Sequence, residues 1–418
     1  MNKKTIRDVN VKGRRVLCRV DFNVPIKNGH VADDTRITSA LPTIRHIIEH
    51  GGSVVLMSHL RRPKGGKAEP EFSLKPVADH LAKLLGAPVQ FAADCVGAET
   101  LALAEALQPG EILVVENTRF YKEEEGKVKL PETVTEEEKK AAKAVMKAKQ
   151  KEFAEKLAAL GDGEIYCNDA FGSAHRAHAS TAVVCQFYKQ NVAGFLMEKE
   201  INYLGRALAS PEKPFVAILG GAKVSDKVNV ITNLLTKVDA LIIGGAMAYT
   251  FNRAKGLATG KSLVEEDKIE LAREILDKAK KAGVKLLLPV DNVAADTFDA
   301  AAATQVVGES IPDGWMALDI GPQSAELFAA EIKKAKTVVW NGPMGCFEMA
   351  PFAAGTTAVA KAVAGTQCLS IIGGGDSVSA VNKSGLASKM SHISTGGGAS
   401  LEFLEGKTLP GVAALTDK

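Results

Sequence analysis

The residues of this 418-residue chain best suited to chemistry fall into two sets. The first is cationic: ten of the 13 arginines and seven of the eight histidines precede residue 180, His392 being the exception among the histidines. The stretches "SHLRRP" (58–63), "ENTRF" (116–120) and "NDAFGSAHRAHAS" (168–180) each follow a strand-like apolar run and carry arginine or histidine. A guanidinium fork binds phosphate or carboxylate in bidentate fashion. His59, Arg62, Arg119, His175 and Arg176 are therefore expected to converge on one crevice, with His178 structural. "RVDFNVP" (19–25) ends another apolar run with Asp21 and Asn23 on the same side. In "DDTRITSALPTIRHII" (33–48), Asp33-Asp34-Thr35 caps a helix with core face Ile37, Leu41, Ile44 and Ile48. Arg36 then sits in the first turn, where the helix dipole disfavours a cation. An anion shared by the helix N-terminus and the guanidinium explains that placement better than a surface charge does.

The second set is glycine. "FVAILGGAKVSDKV" (215–228), "ALIIGGAMAYTF" (240–251), "SIIGGGDSVSAVNKSG" (370–385) and "HISTGGGASLEF" (392–403) share one grammar of buried strand, glycine pair or triplet, and helix start. Bare N–H groups at a helix start attract phosphate, and glycine lets a ligand approach the backbone. Neither G-x-x-x-x-G-K-[ST] nor G-x-G-x-x-G is present at these junctions. A lone triplet is more often a tight turn, but four junctions on the carboxyl edge of a parallel sheet would floor a site for a phosphorylated ligand. Arginine dominates one half and glycine the other, which suggests two different anionic ligands, one per domain.

Apolar runs alternating with helical patterns predict βα units and parallel sheets. Strands are expected near 16–20, 54–57, 112–115, 165–167 and 182–185, then near 215–219, 240–243, 286–289, 338–340 and 369–372. Between the sets, "LMEKEINYLGRALASPEKP" (196–214) reads as a connecting helix with a proline-rich stop. The stretch 122–160, rich in Lys, Glu and Ala, reads as a solvated helix laced with i,i+4 charge pairs.

A chain this long exceeds one comfortable core, so two domains are expected. Net charge of +3 is too small to argue for nucleic acid or a membrane surface. No apolar run reaches the about 20 residues of a membrane span, and "MNKKTIRDVN" lacks a signal core. The six cysteines form no C-x-x-C and read as small buried residues of a reducing compartment, which predicts a cytoplasmic protein. No His, Cys or carboxylate set has metal-ligand spacing.

Taken together in order, "RVDFNVP", "DDTRI", "SHL-RRP", "ENTRF", "NDAFGSAHRAHAS", "LGGAKVSDK", "WNGPMGCFE", "GGGDS" and "STGGGASLE" closely resemble phosphoglycerate kinases, nearly end to end. The resemblance implies an α/β fold of two doubly wound, Rossmann-like parallel-sheet domains joined by a hinge helix. Its boundaries would be 1–190 for a 3-phosphoglycerate domain, completed by the tail 400–418, then 191–213 for the hinge and 214–399 for a nucleotide domain. It implies reversible transfer of the acyl phosphate of 1,3-bisphosphoglycerate to ADP, giving 3-phosphoglycerate and ATP with Mg²⁺, in a monomer. The triose site would comprise Asp21, Phe22, Asn23, Arg36, His59, Leu60, Arg61, Arg62, Arg119 and Arg176. The nucleotide site would comprise Gly221, Lys223, Lys227, Gly244, Gly245, Leu263, Ala317, Asn341, Pro343, Glu348, Gly373, Gly374, Gly375, Asp376 and Ser377. Arg36, Lys223, Gly375 and Gly398 would act on the transferring phosphoryl group, and Asp376 would hold Mg²⁺. Arg61 and Ala317 stand where the family commonly has glycine.

The acceptor in the reverse direction is a carboxylate, already ionised at neutral pH, so no general base is required. Phosphoryl transfer then rests on positioning and on neutralising charge. Two ligands on two domains would require the connector to act as a hinge, with closure excluding water. A nicotinamide-dependent dehydrogenase would want G-x-G-x-x-G with an acid downstream. A non-catalytic phosphometabolite- or nucleotide-binding protein on the same fold would keep the arginines and lose Lys223 or Asp376, and both are present.

Overall fold

The computed structural model describes residues 2–418, which separate into two compact units: residues up to Ile201 with Thr408–Lys418, and Asn202–Lys407. The first unit runs β1 (Arg15–Val20), a hairpin of β2 (Ile26–Lys27) and β3 (His30–Val31), α1 (Thr35–Glu49), β4 (Ser53–Met57), α2 (Lys75–Leu85), β5 (Gln90–Ala92), α3 (Ala98–Ala106) and β6 (Ile112–Val115). It continues through α4 (Lys122–Glu125), α5 (Glu136–Ala158), β7 (Ile165–Asp169) and β8 (Gln190–Ala193) into α6 (Phe195–Ala209). Six parallel strands lie in the order β5-β6-β4-β1-β7-β8. Strand β1 carries apolar residues toward both faces because both are covered. Val16, Cys18 and Val20 join a core with Ile37 and Ile44 of α1 and Val77 of α2. The alternate residue Leu17 joins Ala104 of α3 and Phe153 and Leu157 of α5 on the other face.

The second unit holds β9 (Phe215–Leu219), α7 (Val228–Leu234), β10 (Ala240–Ile243), α8 (Met247–Ala254), α9 (Ile269–Lys281), β11 (Lys285–Leu287), β12 (Asp291–Ala295), β13 (Thr304–Gly308), β14 (Met316–Ile320) and α10 (Pro322–Ile332). It ends with β15 (Thr337–Asn341), α11 (Ala354–Ala364), β16 (Leu369–Gly373), α12 (Gly375–Lys383), β17 (His392–Ile393) and α13 (Gly398–Leu404). Its parallel sheet has the order β11-β10-β9-β15-β16-β17. The order reverses at β9, and such switch points open a crevice beyond the strand ends. The alternation expected from sequence thus holds in both units.

Several local expectations need correction. The run at 182–185 is not a strand: Val183–Phe187 is a 3₁₀ turn, and the strand is β8, polar at Gln190 and Asn191. The apolarity of Val184 and Cys185 serves the α5 side of the core, whereas β8 is an edge strand with half-buried polar positions. The core stripe of α1 is Ile37, Ala40, Thr43, Ile44 and Ile47, with Leu41 and Ile48 only half-buried. An antiparallel sheet, β13-β12-β14, interrupts the second unit's βα alternation and was not anticipated. The stretch 122–160 is two helices, and Glu124 in it is fully buried rather than solvated.

The boundaries also differ from those expected. Residues 191–193 belong to β8 of the first sheet, and the first unit extends to Ile201 within α6. The return to the first unit falls at Thr408, not at 400. Helix α13 stays with the second unit, where Asn233 Nδ2 of α7 donates to Leu404 O at 2.7 Å. Beyond it, α14 (Pro410–Ala413) and the residues after it complete the first unit. Lys4 N donates to Thr416 O and Thr416 N to Asn191 O, both at 2.8 Å.

Candidate functional site

In the first unit the cationic residues gather at the carboxyl ends of β1, β4 and β6. Asp21, just past β1, is buried and accepts from Arg36 Nη1 at 3.1 and 3.0 Å, and Asn23 O accepts from the same nitrogen at 3.2 Å. The pair holds Arg36 across the start of α1 while 36% of its side chain stays exposed. Asp33 Oδ1 accepts from Thr35 N at 2.9 Å, so the local turn is an aspartate turn. Asp34 accepts no capping bond and instead meets His80 Nε2 at 3.0 Å.

After β4 the backbone turns sharply. Arg61 has φ of +57°, the left-handed region that favours glycine. Asn23 Oδ1 accepts from Arg61 N at 2.8 Å, and Arg61 O accepts from Arg119 Nη1 at 2.9 Å. The turn that a glycine would make freely is thus held here by two neighbours. Arg62 is exposed and makes no hydrogen bond or ion pair among the described residues. Arg119 is steered by Glu125 at 3.3 Å, and burial lowers its affinity for the proton, opposed by Glu125. Arg176 is exposed within the 168–180 stretch. Phe22 and Leu60 have fully buried side chains, so only their backbone can face a ligand.

His59 is 6% exposed, and its Nδ1 lies 3.0 Å from Arg19 Nη2. Burial first, then the charges of Arg19, Arg119 and Arg36 and the nearby His178, push its pKa well below the ordinary histidine value. His178 is buried too and its pKa falls to about 4, chiefly by burial, with Glu124 at 3.9 Å opposing the shift.

In the second unit a cleft of about 340 Å³ opens beyond the ends of β9, β15, β16 and β17. Gly221, Lys227, Asn341, Pro343, Gly374, Gly375, Asp376, Ser377 and Gly398 line it, all of them anticipated from sequence, together with Asp226, which was not. Gly375 opens α12, and Asp376 is exposed in its first turn. Gly373 lies directly behind, buried. Lys227 packs its ammonium on Asn341 Oδ1. Burial lowers the Lys227 pKa to about 8, with Asp226 and Asp376 opposing the shift.

The glycine pairs divide by role. A Cβ on Gly245 would lie 2.6 Å from Gly221 N, and one on Gly220 would lie 2.0 Å from Pro343 O. Met247 N donates to Gly221 O and Gly245 N to Met344 O, at 3.0 and 2.9 Å. These glycines let three strand-end loops touch backbone to backbone, whereas Gly375 and Gly397 have open space where a Cβ would stand. Gly244 instead packs on the Met344 side chain, whose sulfur lies 2.5 Å from where a Cβ would stand. Lys223, Leu263, Ala317 and Glu348 do not line the cleft. Lys223, Leu263 and Glu348 are exposed, and Ala317 is buried in β14.

Among the described residues no group of three or more His, Cys, Asp or Glu is placed to hold a metal by itself. One carboxylate beside phosphate-binding backbone suits Mg²⁺, which keeps several waters and binds through one or two carboxylates plus substrate phosphates. Asp376, with Asp226 on the same wall, has that character.

Comparison with known proteins is consistent along the chain. The family model described as phosphoglycerate kinase matches residues 6–407. The phosphoglycerate kinases of Moorella thermoacetica and Chloroherpeton thalassium are 57% and 55% identical, each alignment covering 100% of both chains. The solved structure of the enzyme from Coxiella burnetii superposes with a TM-score of 0.86 at 41% identity, covering 99% of this chain and 98% of that one. That from Pyrococcus horikoshii gives 0.80 at 32% identity, with the same coverage.

Proposed function

The chain belongs to the phosphoglycerate kinase family and catalyses its reaction, reversible transfer of the acyl phosphate of 1,3-bisphosphoglycerate to ADP; we propose that its two sheet edges divide the two substrates between them. The triose phosphate binds the first unit through Asp21, Asn23, Arg36, His59, Arg62, Arg119 and Arg176, with the Phe22, Leu60 and Arg61 backbone shaping the floor. The nucleotide binds the second unit over Gly373–Gly375, with Lys227, Asn341 and Ser377 at its phosphates. Gly244, Gly245, Leu263, Ala317 and Glu348 shape its base and ribose end.

The observation that carries this reading is the cleft itself: glycine-opened strand ends, a helix N-terminus, one lysine and two exposed aspartates, Asp226 and Asp376, face a single cavity. Backbone N–H groups of that kind cradle phosphate. Asp376 would hold Mg²⁺, which supplies countercharge to the nucleotide phosphates when bound. Arg36 and Lys223, with the backbone at Gly375 and Gly398, neutralise charge on the phosphoryl oxygens in flight. No side chain has to remove a proton, because the attacking group is an ionised carboxylate or phosphate.

The acyl phosphate is prone to hydrolysis, so we infer that α6 serves as a hinge and that closure excludes water during transfer. The six free cysteines suit a reducing, cytoplasmic setting, and one chain supplies every residue the reading needs, as a monomer would. No helix among the described residues is long and apolar enough to cross a membrane.

Paired variants test the division. Arg36→Ala should lower kcat by roughly 10³-fold, as for arginines acting on a phosphoryl in transfer. Asp376→Asn should weaken Mg·ADP binding by calorimetry while leaving 3-phosphoglycerate affinity unchanged. A rise in KM alone for Arg36→Ala, or equal loss of both ligands for Asp376→Asn, would overturn the assignment.

A further inference from the structure

Arg19 lies on β1, one residue before its end, and its side chain is fully buried. Among the described residues it forms no direct ion pair with a carboxylate. Its Nε donates to Ser180 Oγ at 2.8 Å, and Ser180 Oγ donates onward to Glu124 Oε1 at 2.5 Å. Ser180 N donates to the other Glu124 oxygen at 3.0 Å. A buried cation and a buried carboxylate are thus joined through one hydroxyl, which satisfies both charges in a place where an unpaired charge would be costly. Nη1 donates to Val20 O, and Nη2 is left for His59 Nδ1 at 3.0 Å.

That last contact has a chemical consequence. A guanidinium only donates hydrogen bonds and does not lose its proton in proteins. The His59 nitrogen facing it must therefore be an acceptor, with no proton on it. In a neutral imidazole the proton then sits on the opposite nitrogen, Nε2, which makes no hydrogen bond to protein and is not sealed from solvent. We propose that Arg19 is a positioning residue for the phosphoryl-transfer reaction, fixing His59 as the Nε2–H tautomer so that it offers the triose phosphate one uncharged N–H donor. This rests on the reading above that His59 belongs to the triose site.

The surroundings act in the same direction. Arg19, Arg36, Arg119 and His178 are the charged or titratable groups closest in effect, and each disfavours an imidazolium at His59. An anion bound among Arg36, Arg62 and Arg119 has cations enough. His59 adds direction: an N–H on a ring locked by burial on one side and by Arg19 on the other. A free histidine would instead share its time between two tautomers and, near neutral pH, a cation.

The test uses the full chain with ¹⁵N-labelled histidine, the His59 signals being identified by their absence in His59→Gln. Long-range ¹H–¹⁵N spectra should show a single Nε2–H tautomer, unchanged between about pH 6 and 8. An Nδ1–H tautomer, a mixture, or an imidazolium titrating near the ordinary value would overturn the proposal. Arg19→Met removes the donor and should let the second tautomer appear. It should also raise KM for 3-phosphoglycerate about tenfold, the loss of one hydrogen bond to a charged group, with KM for ADP unchanged.

Should Arg19→Met not fold, Arg19→Gln keeps an amide donor and should keep the Nε2–H tautomer, and loss of that tautomer in it would count against the proposal. Saturating 3-phosphoglycerate should shift the Nε2 resonance. If that resonance stays unmoved in a protein showing the stated tautomer, the placement of substrate is wrong, and with it the role given to Arg19.

Discussion

Arg61 shows what one side chain costs in the wrong backbone region. Its φ of +57° places Cβ against the following carbonyl, a strain of about 1–2 kcal/mol for a non-glycine residue. Glycine would remove that strain but lose about 0.5–1 kcal/mol through its freer unfolded chain. Arg61→Gly should therefore stabilise the protein by about 0.5–1 kcal/mol in thermal or urea unfolding. The bonds from Arg61 N to Asn23 and from Arg119 to Arg61 O are main-chain at position 61 and survive the change.

Lys227 carries a second residue-scale prediction. Burial lowers its pKa to about 8, so between that value and the ordinary about 10.4 the unfolded chain binds more protons than the folded one. Stability contributed at this site thus rises with pH across the window. Nucleotide phosphates beside the ammonium should restore its proton. Mg·ADP binding at about pH 8 should take up a fraction of a proton, read by calorimetry in buffers of different ionisation enthalpy. Lys227→Met should abolish that uptake. A wild-type uptake of zero would contradict the arrangement seen here.

At the scale of elements, the start of α6 is held by groups of the first unit. Asp169 ends β7 and its Oδ1 accepts from Met197 N at 3.0 Å, while Thr43 of α1 accepts from Phe195 N at 2.8 Å. The Asp169 carboxylate lies where a side chain on Gly194 would go, with Oδ1 2.2 Å from that Cβ position. Burial raises the Asp169 pKa to about 6 despite the hydrogen bonds it accepts. Between the ordinary about 3.9 and about 6 the folded protein holds more protons than the unfolded chain, so stability falls as pH rises through that window. Asp169→Asn should gain on the wild type across it, reaching about 2–3 kcal/mol by pH 7, as denaturant titrations at several pH values would show. A constant difference between the two proteins would refute the shift.

Elements also decided what could be read in advance. The βα alternation and the strand-end arginines were legible because each follows a run whose apolarity answers to burial on both faces, as in β1, β4 and β6. The site glycines were legible as a group but not by role, since only the fold separates Gly375 in open space from Gly245 against Gly221. Glu124 was hidden inside a run of charged residues, and nothing local to it announces that Ser180, far along the chain, will close over it. Strand β8 was missed because an edge strand can carry Gln190 and Asn191, and the sheet β13-β12-β14 because short strands such as Thr304–Gly308 are largely exposed.

For the molecule as a whole, the proposed division of substrates predicts a change of dimension. If each ligand binds its own unit and transfer requires closure, the radius of gyration in small-angle scattering should fall clearly only with both ligands bound. Either ligand alone should leave it near the free value. An unchanged radius at saturation with both would remove hinge closure from the mechanism while leaving the family membership standing.

The chain passes from the first unit to the second at Ile201 and back at Lys407. A ribosome therefore makes every residue of the second unit, Asn202–Lys407, before Thr408–Lys418 exists. Until then Asn191 lacks the Thr416 partner and Ala174 lacks the bond from Gly411, so one flank of the first sheet stays unfinished beside β8. An unfinished edge is where strands of other chains can pair. The earlier-made unit thus stays incomplete until the last residues of the chain are made. Being made first therefore gives the first unit no head start in completing itself, unlike a domain whose residues are contiguous in the chain.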